Sequence, residues 1–156
     1  MQVSFLTGSQ AATALVTLTK DCDSMDWAVA WARPNHVVAA ARKHCAKFKR
    51  LILGTHFYQT DPDVLEQFAH LRQARMMLPK GATFHPKVYL FRFGQNFKAV
   101  VGSHNLTDAA FTKNAEISVY LEGAASDAAF DELREFLDDE WAKARAISTY
   151  LASYRV

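Results

Sequence analysis

The strongest constraint on the fold is an alternation of strand-like and helix-like segments along the chain. Short apolar runs of strand length recur, and the segments between them place apolar residues at helical spacing. This alternation is typical of α/β domains, in which helices cover a sheet. The sequence therefore predicts a mixed β-sheet flanked by helices on both faces. The predicted strands are residues 2–7, 27–32, 51–54, 74–78, 84–93, 97–103 and 117–121, and the predicted helices are 10–20, 35–47, one that opens at 61, 106–112 and 126–146.

Local signals support several of these boundaries. Asn35 follows Pro34 and has the residue type of a helix N-cap. Pro62 fits the first turn of the helix that opens at Asp61. The residues at 94–96, Gly-Gln-Asn, favour a tight turn that would join two strands as a hairpin.

Length and composition predict one domain over residues 1–156. A chain of 156 residues that is 50% hydrophobic can bury a core without disulfides. Its apolar runs are far shorter than the roughly 20 residues that span a bilayer, and no basic segment precedes the first apolar stretch. We therefore expect a cytoplasmic protein with no membrane partner.

Charge is distributed unevenly along the chain. Residues 1–113 contain 14 Lys and Arg against 7 Asp and Glu, whereas residues 114–156 contain 4 against 9. A basic body attracts polyanions, so this polarity favours a nucleic-acid partner. Ordinary solvated surface charge is the alternative that composition leaves open.

Four residues near strand ends are candidates for chemistry. His85 and Lys87 are separated by one residue in a predicted strand, so both side chains project from one face. Asn105 follows the next strand, where it could start a short helix, and Gly102 before it permits a close backbone approach. Glu116 enters the strand after that, which would bring a carboxylate to the same end of the sheet.

The order of these motifs resembles the phospholipase D superfamily. His-Pro-Lys at 85–87, Gly-Ser-His-Asn at 102–105 and the trailing Glu116 match the H-x-K, G-S-x-N and Glu pattern of that family. Segments 54–68 and 81–91 are similar to a bacterial branch with small nucleases, metal-independent restriction endonucleases and nuclease-like domains of helicases. The similarity covers roughly residues 50–122, and it implies the phospholipase D/nuclease-like fold.

The resemblance implies hydrolysis through a covalent phosphohistidine without a metal ion or other cofactor. His85 would be the nucleophile, while Lys87 and Asn105 would hold the phosphate oxygens. Glu116 would accept a hydrogen bond from His85 and orient it. The family's site uses two copies of the motif and this chain has one, so a homodimer is implied, with a second His85 as general acid.

Arg92 departs from the family pattern. Many members have Asp five residues beyond the motif Lys, where this chain has Arg92. By strand period this side chain faces away from His85 and Lys87, so we expect an effect on packing or on a substrate contact more than on catalysis. The departure favours the nuclease branch over the lipid-cleaving branch.

Three further residues are candidates for substrate binding. The Ser103 hydroxyl could contact the phosphate, His104 occupies the variable motif position and is expected to face DNA or solvent, and His56 could approach the same end of the sheet. A metal site built from His56, His85 and His104 lacks paired ligand spacing, and Cys22 and Cys45 form no zinc pattern, so no metal site is predicted.

Function therefore has one leading interpretation and two alternatives. The leading one is a nuclease acting on DNA in preference to RNA, with a helicase or restriction system as a partner. The first alternative is a non-catalytic nucleic-acid-binding module within a restriction, repair or defence assembly. The second is a phospholipid phosphodiesterase, for which the sequence offers no apolar anchor.

Overall fold

The computed structural model describes residues 1–155, which form one eight-stranded sheet with helices on both faces. The strands are β1 (Gln2–Thr7), β2 (Ser24–Val29), β3 (Phe48–Gly54), β4 (Ala74–Met77), β5 (Lys87–Phe93), β6 (Asn96–Gly102), β7 (Ile117–Ala124) and β8 (Arg145–Ala146). The helices are α1 (Ser9–Asp21), α2 (His36–Lys43), α3 (Pro62–Phe68), α4 (Asp108–Thr112), α5 (Ala128–Lys143) and α6 (Ile147–Arg155).

The sheet is mixed, as predicted. Its strand order is β1-β7-β6-β5-β2-β3-β4-β8, in which β2, β3 and β4 run parallel and every other neighbouring pair is antiparallel. The predicted hairpin is β5–β6, turning at Gly94, whose φ of 58° lies in the left-handed region. Parallel strands need crossover connections, and α2 and α3 supply them between β2 and β3 and between β3 and β4.

Two hydrophobic cores hold the helices against the sheet. The larger core joins the sheet to α1, α2, α3 and α6, and the fully buried Trp27 lies at its centre. The Trp27 ring makes edge contacts with Phe48, Tyr89 and Phe91 at centroid distances of 5.2, 5.1 and 5.9 Å. The smaller core lies under α5 on the opposite face. Helices therefore cover both faces, which confirms the predicted fold class.

Strand register brings the motif residues to one end of the sheet, which we call the His85 end. Val29 at the end of β2 is opposite Lys87 at the start of β5. Gly102 at the end of β6 is opposite Ser118 near the start of β7. Because β3 and β4 run parallel to β2, they also finish at this end. Loops that follow these four strands therefore lie at the same end of the sheet as the start of β5.

A close approach between β6 and β7 explains the glycine of the second motif. A Cβ atom on Gly102 would lie 2.5 Å from Ser118 Cα and 2.6 Å from the Ile117 carbonyl oxygen. Both are main-chain atoms, so a side chain here would force the two strands apart. The predicted close backbone approach at Gly102 is confirmed.

Several local predictions differ from the structure. The second strand was expected at 27–32, but β2 ends at Val29 because Trp31 and the residues after it pair with Leu106 instead. Asn105 does not start α4; Thr107 is its N-cap, with its hydroxyl accepting from Ala110 N at 3.1 Å. The sequence analysis also predicted nothing after residue 146, where α6 packs its buried Tyr154 against the core.

None of the helices within residues 1–155 combines the length and the apolar character needed to cross a bilayer.

Candidate active site

His85 and Lys87 lie in direct contact at the start of β5. Lys87 Nζ is 3.0 Å from each ring nitrogen of His85 and donates to the His85 carbonyl oxygen at 2.9 Å. The His85 side chain is exposed, whereas Lys87 is only 6% exposed. His85 immediately precedes the strand and does not form part of it. The pair therefore presents an accessible imidazole above a buried ammonium group.

Asn105 is bonded to the segment that continues β2, and that segment contacts His85. Trp31 N donates to Asn105 Oδ1 at 3.2 Å, and Leu106 N donates to the Trp31 carbonyl oxygen at 3.1 Å. The Trp31 ring in turn makes an edge contact with His85, with centroids 5.1 Å apart. Because Oδ1 of Asn105 is used as an acceptor, its amide NH₂ group remains as a donor for a ligand.

Glu116 lies at the same end of the sheet but does not bond to His85. It precedes β7, and its negative charge opposes the lowering of the Lys87 pKa by burial. Among the described hydrogen bonds none joins Glu116 to His85. The expected His85–Glu116 hydrogen bond is thus absent from this monomer.

Burial lowers the pKa of both basic groups, and at His85 a neighbouring charge lowers it further. The pKa of His85 is lowered, mainly by desolvation and further by the positive charge of Lys87. Desolvation likewise lowers the pKa of Lys87, against the opposing effect of Glu116. A neutral imidazole has a free lone pair, so the environment prepares His85 to act as a nucleophile or a base.

We expect the His85 imidazole to titrate below its ordinary value of 6.5 in an NMR titration of the ring C–H signals. Because its pKa is lowered, the neutral form persists on acidification and is lost only as the pH falls through the shifted value. Lys87→Met should raise the pKa, since one of the two lowering causes is removed. Lys49→Met, at an exposed position of β3, should leave it unchanged. A His85 pKa that Lys87→Met does not change would contradict this electrostatic account.

His104 is placed differently from the prediction. It is fully buried, stacks on Phe111 with centroids 5.9 Å apart, and its Nδ1 lies 2.8 Å from Ser118 Oγ. The expectation that His104 faces DNA or solvent is therefore wrong, because this motif position points into the larger core. Tyr89 donates from its buried hydroxyl to the His104 carbonyl oxygen at 2.8 Å, which fixes the backbone just before Asn105.

Ser103 uses its hydroxyl within the protein. The hydroxyl donates to the Ile117 carbonyl oxygen at 3.1 Å and accepts from Ile117 N at 2.9 Å. Its single proton is therefore occupied and is not directed at a ligand. The residue ties the end of β6 to the start of β7, next to Glu116.

His56 uses both of its ring nitrogens within the protein. It is 5% exposed, its Nδ1 accepts from Phe84 N at 3.4 Å, and its Nε2 lies 3.2 Å from the Lys80 carbonyl oxygen. Both ring nitrogens are occupied, so the predicted direct substrate contact of His56 is not supported. The Trp31 ring contacts His85 and the Phe57 ring contacts Trp31, and the sequence analysis did not assign either aromatic residue to the site.

Within the described residues no group of three or more His, Cys, Asp or Glu side chains has a geometry that could hold a metal ion. Arg92 lies near the β5–β6 turn, at the other end of β5 from Lys87, where its Nε donates to the Gly94 carbonyl oxygen at 3.0 Å. Arg92 is therefore not part of the site around His85.

Comparison with known proteins assigns the chain to a family. The family model described as "Cardiolipin synthase, PLD-like domain" matches residues 36–141, which is more than half of the chain. The protein therefore belongs to the phospholipase D-like family, as its motifs predict. No curated protein sequence matches the chain significantly.

Solved structures share the fold at low sequence identity. The phospholipase D family member Nuc from Salmonella typhimurium is 16% identical with a TM-score of 0.74, covering 92% of this chain and 97% of Nuc. NucT from Helicobacter pylori is 11% identical with a TM-score of 0.70, covering 93% and 98%. The archaeal chromatin protein TrmBL2 is 11% identical with a TM-score of 0.56, covering 94% of this chain and 55% of TrmBL2.

Proposed function

We propose that this protein is a metal-independent phosphodiesterase that hydrolyses nucleic acid, with DNA favoured over RNA. The observation that carries the proposal is the contact between the His85 imidazole and the Lys87 ammonium group, with the Asn105 amide held on the neighbouring segment. A nucleophile with two phosphate-binding donors is what displacement at phosphorus requires. The fold likeness to Nuc and NucT, and the DNA binding described for TrmBL2, favour a nucleic-acid substrate.

The first step transfers the phosphoryl group to the protein. An imidazole nitrogen of His85 attacks phosphorus, forming an N–P bond as the bond from phosphorus to the leaving oxygen breaks. The leaving oxygen takes a proton from the imidazolium of the partner subunit's His85, which acts as general acid. Lys87 and Asn105 bind the non-bridging oxygens and stabilise the charge that builds on them in the transition state.

The second step regenerates the nucleophile. Water attacks the phosphohistidine and gives its proton to the partner subunit's His85, which is now neutral and acts as general base. The new P–O bond forms as the N–P bond breaks, so His85 returns to its neutral state. Glu116 balances the charge of this basic cluster and accepts the His85 ring N–H when dimer formation or the ligand brings the two side chains together.

An exposed apolar surface supports the dimer that this chemistry needs. Val3, Phe5 and Ile117 are 57%, 63% and 54% exposed, and they form what we call the β1–β7 patch. Strand period places them on the sheet face opposite Leu6, which packs against the larger core. The smaller core under α5 does not include any of the three. A second copy covering the β1–β7 patch would remove this apolar surface from water.

Hydrolysis of four substrates in excess EDTA tests the proposal. Single-stranded DNA, plasmid DNA, RNA and phospholipid vesicles would be incubated with the wild-type protein. We expect EDTA-resistant cleavage of nucleic acid, with DNA cut at least as fast as RNA, and no phospholipid turnover. Cleavage that EDTA stops would contradict the mechanism, and binding of DNA without cleavage would point to the non-catalytic module. Turnover of phospholipid alone would replace the proposed substrate class.

A further inference from the structure

The loop after β3 presents two aromatic side chains to solvent. Residues 55–60 form what we call the Phe57 loop, in which Phe57 is 66% exposed and Tyr58 is 64% exposed. Both have left-handed backbone conformations, with φ of 60° and 54°. Such conformations are unfavourable for bulky residues and persist only where the surroundings hold them. Folding alone does not explain why an apolar ring is kept exposed to solvent on a strained backbone.

Hydrogen bonds and an aromatic contact hold the Phe57 loop against the rest of the protein. Trp31 Nε1 donates to the His56 carbonyl oxygen at 3.1 Å, and Thr60 Oγ1 donates to the Gly54 carbonyl oxygen at 2.6 Å. Tyr58 stacks on Tyr154 with centroids 5.3 Å apart and planes at 16°. Together with the two occupied nitrogens of His56, these contacts hold the loop in one conformation. The ring of Phe57 is thus presented in a set position without being buried.

The Phe57 ring lies close to the proposed active site at His85. The Phe57 centroid is 6.5 Å from that of Trp31, and the Trp31 centroid is 5.1 Å from that of His85. Lys87 Nζ is also 5.8 Å from the Trp31 ring centroid. A single aromatic ring, that of Trp31, therefore lies between Phe57 and the His85–Lys87 pair.

We propose that Phe57 and Trp31 form a stacking subsite for an unpaired nucleobase next to the phosphate held at His85, so that the site selects single-stranded nucleic acid. This inference rests on the proposed function of the His85 site. Bases of a single strand offer their faces to aromatic side chains, and such stacking tolerates any sequence. In a duplex the same faces are stacked on neighbouring bases and are not accessible without unpairing.

A second protein copy is the competing occupant of this surface. The Phe57 loop follows β3, and four strands lie between β3 and β1 in the sheet. The loop is therefore distant along the sheet from the β1–β7 patch, so of the two places where the proposed dimer meets, the patch and the His85 site, it adjoins only the second. Its neighbours are instead the side chains that would bind a phosphate, which favours a nucleotide as its ligand.

Binding measurements separate stacking from charge. A fluorescein-labelled single strand, the same strand with abasic sites throughout, and the corresponding duplex would be titrated in EDTA by anisotropy. The protein carries His85→Asn so that no strand is cut, alone or combined with Phe57→Leu or Phe57→Trp. We expect Phe57→Leu to weaken binding of the base-bearing strand about tenfold or more. Binding of the abasic strand and of the duplex should not change, and Phe57→Trp should bind the base-bearing strand as tightly as the parent.

The outcomes distinguish this inference from the proposed function. Equal weakening of the base-bearing and abasic strands by Phe57→Leu would overturn the stacking subsite, as would no binding of single strands at all. A loss of dimer in sedimentation caused by Phe57→Leu would assign the ring to the partner copy. If binding depends on the bases but the wild-type protein cuts no nucleic acid, the stacking subsite would be supported and only the proposed hydrolysis would be wrong.

Thermal unfolding gives a second readout that does not depend on the ligand. Because glycine adopts positive φ without steric cost, Phe57→Gly should have a Tm no lower than the wild type while it loses base-dependent binding. A marked fall in Tm would show that the ring is needed for the fold, and the reason for proposing a ligand would be lost.

Discussion

Replacing His85 with asparagine is expected to lower nucleic-acid hydrolysis by about 10⁴-fold or more, because it removes the nucleophile and the general acid of a symmetric dimer at once. Asparagine keeps a polar side chain of similar size at this exposed position, so the fold should be retained. The rates would be compared in excess EDTA with single-stranded DNA, alongside the Kd for the same strand. We expect the loss to appear in kcat, with Kd little changed.

The matched control for this variant is His70→Asn, the same substitution at an exposed histidine just after α3. It should hydrolyse DNA at the wild-type rate. If His85→Asn retained a rate within about tenfold of the wild type, a loss smaller than removal of even one general acid or base ordinarily causes, His85 would not be the nucleophile.

Placing a charge in the β1–β7 patch is expected to have the second largest effect. Phe5→Asp would put a carboxylate into a surface that we propose is buried between two copies, where an unpaired charge is strongly unfavourable. The variant should sediment as a monomer. Its rate should fall by about 10²-fold or more, because a monomer lacks the general acid of the partner.

The control for the patch is Ala39→Asp, which adds the same charge at an exposed position of α2, a helix that packs on the larger core on the opposite face of the sheet. It should remain dimeric and active. A Phe5→Asp protein that is monomeric yet fully active would show that one copy of the motif is sufficient, and the two-histidine mechanism would then be wrong.

Much of the fold was predictable because its boundaries are set by local chemistry. Asn35 accepts from the N–H groups of Val37 and Val38 as an N-cap should, and Pro62 occupies the first turn of α3. The apolar runs of β3, β5 and β6 have the length and composition of buried strands. Helix α6 was missed although Ile147, Tyr150, Leu151 and Tyr154 have helical spacing, which the sequence analysis overlooked.

The site was predictable only in part, because the order of the motifs identifies the residues but does not say how deeply each side chain is buried. His85 and Lys87 are neighbours in sequence, so their contact follows from short-range geometry. The burial of His104 depends on Phe111 and Ser118, and that of His56 on Phe84 and Lys80. Those contacts form only when separate loops meet at the His85 end.

Trp31 and Phe57 lie at the site although the sequence did not assign them to it. An apolar residue in a run such as 27–32 is most simply assigned to the core, and Trp27 does lie there. Trp31 is on the extension of β2 beyond the sheet, where pairing with Leu106 carries it to His85. Only the parallel register of β2 and β3 brings Phe57 beside it.

The most direct test of the central claim is to look for the covalent intermediate. The wild-type protein would be mixed with an end-labelled single strand in excess EDTA, quenched with alkali during turnover, and digested for mass spectrometry. We predict a nucleotide attached through phosphorus to His85, acid-labile, and absent from His85→Asn. Turnover under these conditions with no adduct on His85, or with an adduct on another residue, would contradict the phosphohistidine mechanism.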